Sequence, residues 1–385
     1  MARRGISGLF LSGTLMAFLG SILLAWRHHI DPNYLHIGTL FLLQNLGMLV
    51  APVLAAPLLR KRGIRFVMTL ACVLACCAML LLAAFSPPSP FYWQLIGLFL
   101  VGLGAGLLNT SVFHAISSVY HLNPAATLTL AGALYGLGAM TCALFVAGTF
   151  FVYNVASVLI LLALLPAFAA VVYYRAKLPD EPIVQQVTWT RALQDFRSPA
   201  AILFALLLFF QSGSEGALAG WLALFLTQRL GASPVTSLFL LALYWFALLT
   251  GRVAAQWLLP RVRHARLLAL ATLAPMFACV VLFSTNNLFG ATVGVLLAGG
   301  GFSVILPLVV EKIGDRFPYF HPGFFSGIFS IASTGSLLAP ASLGYLAHFY
   351  GVGVVMGLPL AGSIMVVFLI ILIMLEARLS SPRKA

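Results

Sequence analysis

Long apolar runs separated by short polar breaks set the rhythm of this chain. Twelve runs reach the roughly twenty residues that a helix needs to cross a bilayer. In approximate limits they are 6–26, 36–58, 66–85, 93–118, 126–150, 153–174, 200–227, 235–258, 266–284, 288–311, 323–348 and 352–376. None alternates apolar and polar positions as a half-buried strand does, and helices satisfy their own backbone groups in hydrocarbon. The pattern predicts an all-α membrane protein of twelve transmembrane helices. The first run follows Arg3 and Arg4 as a signal peptide would. It lacks a small-residue cleavage site and is long enough to span, so it reads as helix one.

The polar breaks give orientation. An even number of spans puts both termini on one side, and eighteen of the 21 Lys and Arg fall there. Arg27 and Arg229 lie opposite, and Arg252 lies inside the eighth run. Basic loops stay cytoplasmic, so the expectation is a multi-pass inner-membrane protein with both termini in the cytoplasm. Composition agrees: 62% of residues are hydrophobic and 8% charged, against roughly 25% charged in soluble domains. The net charge of +13 sits in clusters between apolar runs, which suits anionic lipid headgroups and not nucleic acid. Cys72, Cys76, Cys77, Cys142 and Cys279 all fall within apolar runs without metal-ligand spacing and read as packing residues. The sequence has no Walker loop, no HExxH and no carboxylate pair away from the basic side. ATP drive, hydrolysis, a metal and a cofactor are therefore not expected, and the chain reads as a non-enzyme.

The chain also repeats itself. A shift of 200 residues sets FLSGTLMAFLGSILL (10–24) over FQSGSEGALAGWLAL (210–224), matching Phe, Ser, Gly, Ala, Gly and Leu. LFLL occurs at 40–43 and 238–241, and LAGALYG (130–136) is similar to FSGIFSI (325–331). Matches in the same order imply two parallel six-helix halves, residues 1–174 and 199–385, joined by a polar linker over 175–198. That linker contains VTWTRALQDF (187–196), a candidate surface helix.

Two parallel six-helix repeats with both ends cytoplasmic resemble the layout of major facilitator superfamily transporters. APLLRKRGIR (56–65) stands where that superfamily carries G-x-x-x-D-R-x-G-R. Gly63 and Lys61 match in kind, while Ala56 and Arg60 replace the Gly and the Asp, so another contact must close the cytoplasmic gate. Within LFFQSGSEGALAGWLALFL (208–226), Gly213-Ser214-Glu215 followed by Trp221 resembles helix seven of the fucose:proton symporter family, which includes sodium-dependent glucose transporter-like proteins. GLGAGLLN (102–109) sets Asn109 where that family has an acid in helix four. The resemblance implies a sugar as substrate and coupling to H+ or Na+, without the family's usual proton-carrying acid.

Candidate site residues follow from depth and face. On a 100° wheel Gln211, Ser214, Glu215, Leu218, Trp221 and Phe225 share one stripe. Gly213, Gly216, Ala217 and Gly220 form an opposite, small face suited to close packing. Glu215 stands near the bilayer midplane, where an acid needs a partner or a cavity. It is the candidate ligand for substrate or coupling ion, the alternative being a buried group that pins two helices. Gln44, Asn45 and Asn109 offer amides at similar depth, either to solute hydroxyls or across helices. Tyr135, Tyr244 and Trp245 could stack on a sugar ring, line a lipid-tail pocket or simply pack, and Trp221, on the Glu215 stripe, is a further candidate for contact with substrate. Arg252 and Glu311 form a candidate gate on the cytoplasmic side, with snorkelling of Arg252 the alternative. His114 with Ser111, Ser117, Ser118 and His121 could relay protons or serve structure, and EKIGDR (311–316) reads as a solvated loop. Two cargoes stay open on the same fold: a small polar solute, above all a sugar, or an amphiphile such as a lysolipid or drug, which the 30 Phe residues suit. The expected partners are the small-molecule substrate, H+ or Na+, and membrane lipids, around a monomer.

Overall fold

The computed structural model describes residues 2–26, 33–116, 124–176, 198–258, 261, 264–316 and 327–380. Every regular element among them is helical: α1 (Ala2–Trp26), α2 (Tyr34–Ala84), α3 (Phe91–Ala115), α4 (Pro124–Thr149), α5 (Val155–Arg175), α6 (Pro199–Leu230), α7 (Pro234–Leu258), α8 (His264–Ser284), α9 (Leu288–Arg316), α10 (Gly327–Tyr350) and α11 (Gly357–Ser380). A 3-10 turn, Val352–Met356, leads into α11.

Among the described residues nine helices are long and apolar enough to cross a membrane, and one of these, α2, folds back on itself. Its backbone leaves helical geometry at Gly63, with φ 74° and ψ 169°, a region that costs any residue with a Cβ. Contacts of α3 show the reversal. Gly102 meets Gln44 and Gly106 meets Ala51, so α3 runs parallel to the first arm. Gly97 meets Leu82 and Gly104 meets Ala71, so it runs antiparallel to the second. One glycine thus separates two spans, and Arg60, Lys61, Arg62 and Arg65 gather at that turn. We call this side of the molecule the basic end.

Two helix crossings recur at a spacing of 200 residues. A Cβ on Gly13 of α1 would strike the Tyr135 carbonyl of α4, and one on Gly213 of α6 would meet the Gly335 carbonyl of α10, with 200 residues between both members of each pair. Glycine at these crossings lets backbones touch, which is how helices gain contact where no hydrophobic drive separates them from lipid. Large apolar side chains outside the packing stay uncovered, among them Phe151, Phe168, Phe289 and Phe349.

One expectation changes. EKIGDR is not a loop: α9 continues through Arg316, whose Nη2 lies 2.8 Å from Glu376 Oε1 of α11. An interhelical ion pair holds this last turn in helix. The last apolar run, 352–376, matches a candidate span, Val352–Ala377, whose first turn is 3-10. Most of the linker, residues 177–197, and Ser117, Ser118 and His121 lie outside the described residues.

Candidate functional site

Glu215 sits at the middle of α6, and no residue of that helix from Leu207 to Gln228 is exposed. This stretch is wrapped by other helices, and the Glu215 side chain retains 20% exposure. The small face does what its residues suit: Gly213 and Gly216 lie against Gly335, Ser336, Ala339 and Pro340 of α10. From the polar stripe Glu215 reaches α7, whereas Ser214 lies against Gly362 of α11 and Trp221 reaches Pro340 of α10.

Arg252 of α7 meets Glu215. Its Nη2 donates to Glu215 Oε1 at 3.2 Å, and its Nη1 donates to the Gly132 carbonyl of α4 at 2.6 Å. The planar guanidinium fork serves two acceptors on two helices, which a lysine could not do in the same way. A Cβ at Gly132 would sit 2.8 Å from the guanidinium carbon, so glycine is what allows the approach. Arg252 is 6% exposed and does not snorkel. This corrects the expected gate: Arg252 pairs with Glu215 and not with Glu311, because its side chain reaches back toward the middle of the bundle. Glu311, at the basic end of α9, is engaged elsewhere.

Aromatic and amide groups surround the pair. Tyr135 and Tyr244 both lie within electrostatic range of Glu215 and Arg252. Trp245 lies 6.2 Å, centroid to centroid, from Tyr135 and 5.5 Å from Tyr244. Gln211, one turn before Glu215, interacts with it, yet neither amide atom attains hydrogen-bonding geometry. The Tyr244 hydroxyl and the Trp245 Nε1 are buried without a hydrogen-bond partner among the described residues. Buried polar groups are nearly always satisfied, so this cluster presents donors and acceptors with capacity to spare. Asn109 Oδ1 on α3 is buried and unpartnered in the same sense. Asn45 shares the face of α2 on which Gly38 and Phe41 meet α10 and α6.

Other candidates are structural. Gln44 Nε2 donates to the Leu15 carbonyl at 2.9 Å and to that of Met16 at 3.3 Å, tying α2 to α1. Trp221 is fully buried, and its Nε1 donates to the Pro340 carbonyl at 2.9 Å. Its ring stacks on Phe41 at 5.9 Å and lies 6.4 Å from Tyr34, whose hydroxyl donates to Gln228 Oε1 at 2.8 Å. With the Gly38–Gly344 and Gly20–Gly220 crossings, these groups shut the end opposite the basic one. Trp221 thus packs at these crossings with both its ring and its Nε1 engaged. His114 takes part in a contact of its own.

Sequence reasoning missed the carbonyls of Gly132 and Pro340, which carry no side-chain signal. It also missed an apolar cluster toward the basic end, where Phe113 of α3 and Leu128 of α4 meet Leu306 and Val310 of α9. These residues bring α3 and α4 against α9 through apolar contacts.

The likenesses to known proteins agree with this architecture. An uncharacterized MFS-type transporter from Yersinia pestis is 22% identical, the match spanning 90% of this chain and 89% of the relative. The crystal structure of a point mutant of the nucleoside transporter NupG superposes with a TM-score of 0.76 at 13% identity, covering 97% of this chain and 98% of that one. That similarity is one of fold. The sequence also matches the Major Facilitator Superfamily profile over residues 5–340, and with most of its length so matched, the chain belongs to the major facilitator superfamily.

Proposed function

We propose that this multi-pass membrane transporter carries a small, neutral, hydroxyl-bearing solute with a ring, a sugar or a molecule containing one, by alternating access. Residues 1–174 and 199–385 act as the two moving halves, with 175–198 as a cytoplasmic linker and the basic end in the cytoplasm of an inner membrane. The observation that carries this reading is the Glu215–Arg252 pair beside Gln211, Tyr244 and Trp245, polar groups buried with unused hydrogen-bonding capacity. The paired charges cancel, so the site favours a neutral solute. Amide, phenol and indole groups match vicinal hydroxyls and a ring face. A nucleoside transporter with the same fold supports a hydroxyl-bearing cargo.

Glu215 serves as the ligand for substrate and for a coupling H+ or Na+, and Arg252 closes the site by bridging α6 and α4. Substrate binding then includes a competition for the carboxylate that Arg252 already holds. Asn109 and Asn45 present amides from the other half.

The test is flux into proteoliposomes of labelled hexoses, nucleosides and a lysophospholipid, each with and without a pH or sodium gradient. Saturable sugar or nucleoside uptake, lost in Glu215→Gln, is expected. Movement of the lysophospholipid alone would replace this reading with an amphiphile carrier.

A further inference from the structure

We propose that the turn of α2 at Gly63 and the adjoining end of α5 form a binding site for an anionic phospholipid headgroup of the leaflet at the basic end. The site is distinct from the central cluster and does not depend on which solute is carried.

The reasons begin with the backbone. Because a single glycine reverses the chain, Arg60, Lys61, Arg62 and Arg65 crowd into one turn. Arg62 and Arg65 are exposed, and their contacts are with rings. The Arg62 guanidinium lies 5.7 Å from the centroid of Phe66, and that of Arg65 lies 5.1 Å from the centroid of Tyr174 on α5. Each ring steadies one face of a planar cation without neutralising it, since the ring quadrupole leaves the full charge and the N–H edge outward. Phe66 and Tyr174 are themselves 41% and 64% exposed, and below them run the uncovered Val73 and Leu80 on one helix and Val171 and Phe168 on the other. The surface therefore reads, from the end inward, as two aimed guanidinium forks, two aromatic rings and an apolar wall. A phospholipid has the same order of chemistry: phosphate, interface and acyl chain. Arginine forks recognise phosphate oxygens in pairs, and the wall keeps the partner a lipid and not a soluble phosphate.

The experiment uses the purified full-length protein in mild detergent, delipidated and then titrated with phosphatidylglycerol, phosphatidylcholine or glycerol 3-phosphate. Thermal unfolding and retained lipid, read by native mass spectrometry, are the measurements. Phosphatidylglycerol is expected to raise the melting temperature and remain bound, while the other two do neither. Arg62→Gln/Arg65→Gln should retain phosphatidylglycerol about 30-fold less well, the factor for two surface cations. Arg261→Gln, which removes a cation stacked on Trp257 elsewhere at the same end, should leave retention unchanged. If the double variant does not accumulate, Arg62→Lys/Arg65→Lys keeps the charge and loses the fork, and intermediate retention is expected. Equal retention by either double variant and wild type overturns the proposal, as does equal stabilisation by phosphatidylcholine or by glycerol 3-phosphate.

Discussion

Arg252 reaches from α7 to touch two helices at once, 3.2 Å from the Glu215 carboxylate and 2.6 Å from the Gly132 carbonyl. A paired acid in mid-membrane can be either functional or a pin between helices, and single substitutions confuse the two. Losing one partner of a buried pair costs about 3–5 kcal/mol because the other charge is left alone. Glu215→Gln is thus expected to lower both transport and thermal stability. Glu215→Gln/Arg252→Gln removes both charges and should recover most of the stability while transport stays at least tenfold down. Recovery of transport in the double variant would assign the pair to structure alone. Unfolding in detergent and proteoliposome flux, measured on the same preparations, decide the matter.

Gly132 supplies a second handle on the same strap. Its missing side chain makes room for the guanidinium, so Gly132→Ala should push Arg252 off the carbonyl while leaving Glu215 in place. The neighbouring side chains stay as they are, and the stability loss is expected to be modest, about 1–2 kcal/mol for a displaced bond in a crowded site. Transport should fall more than that implies, with the maximal rate changing more than the half-saturation concentration. A variant that kept wild-type rates would remove Arg252 from any part in closing the halves.

Trp221 closes the far end through its ring and its Nε1 bond to Pro340. Trp221→Phe keeps the stacking on Phe41 and loses the bond. We expect about 1 kcal/mol less stability and a shift of the resting population toward opening at that end. Labelling of a cysteine introduced at Asn45 by a membrane-impermeant maleimide should be several-fold faster from the non-basic side in this background. Unchanged labelling would mean that the aromatic seal does not govern access.

The all-helical, membrane-spanning character, the reversal at Gly63 and the Gly13–Gly213 spacing were legible because each rests on a property of the residues themselves. Apolar length gives spans, Gly63 stands between two basic-flanked runs, and Gly13 and Gly213 recur 200 positions apart. Within the site, the polar stripe of α6 and the choice of Arg252 as a bridging residue came from the same reasoning. The partner did not. Glu311 looked closer to Arg252 in depth, but a long side chain can reach along the bundle, and its final contact depends on which carbonyls are open. Gly132 and Pro340 act through backbone oxygens, which every residue has, so nothing in their identities marks them. Trp221 shares its stripe with Glu215, yet one and a half turns along the helix carry it from the central cluster to its contacts with Phe41 and Pro340.

The unpartnered groups give the sharpest separation of function from structure. Tyr244 buries its hydroxyl without a hydrogen-bond partner among the described residues, and Trp245 does the same with its Nε1. A polar atom buried in that condition costs stability, about 1–3 kcal/mol. Tyr244→Phe removes the cost while keeping the ring, so the variant should be as stable as wild type or slightly more so. If the hydroxyl is kept for the solute, the same change should raise the half-saturation concentration about tenfold, the worth of one hydrogen bond to a neutral group. A stabilised protein with weakened substrate binding is a combination that a packing role does not produce. A destabilised Tyr244→Phe with unchanged affinity would mean that the hydroxyl has a partner in the membrane and that the solute binds elsewhere.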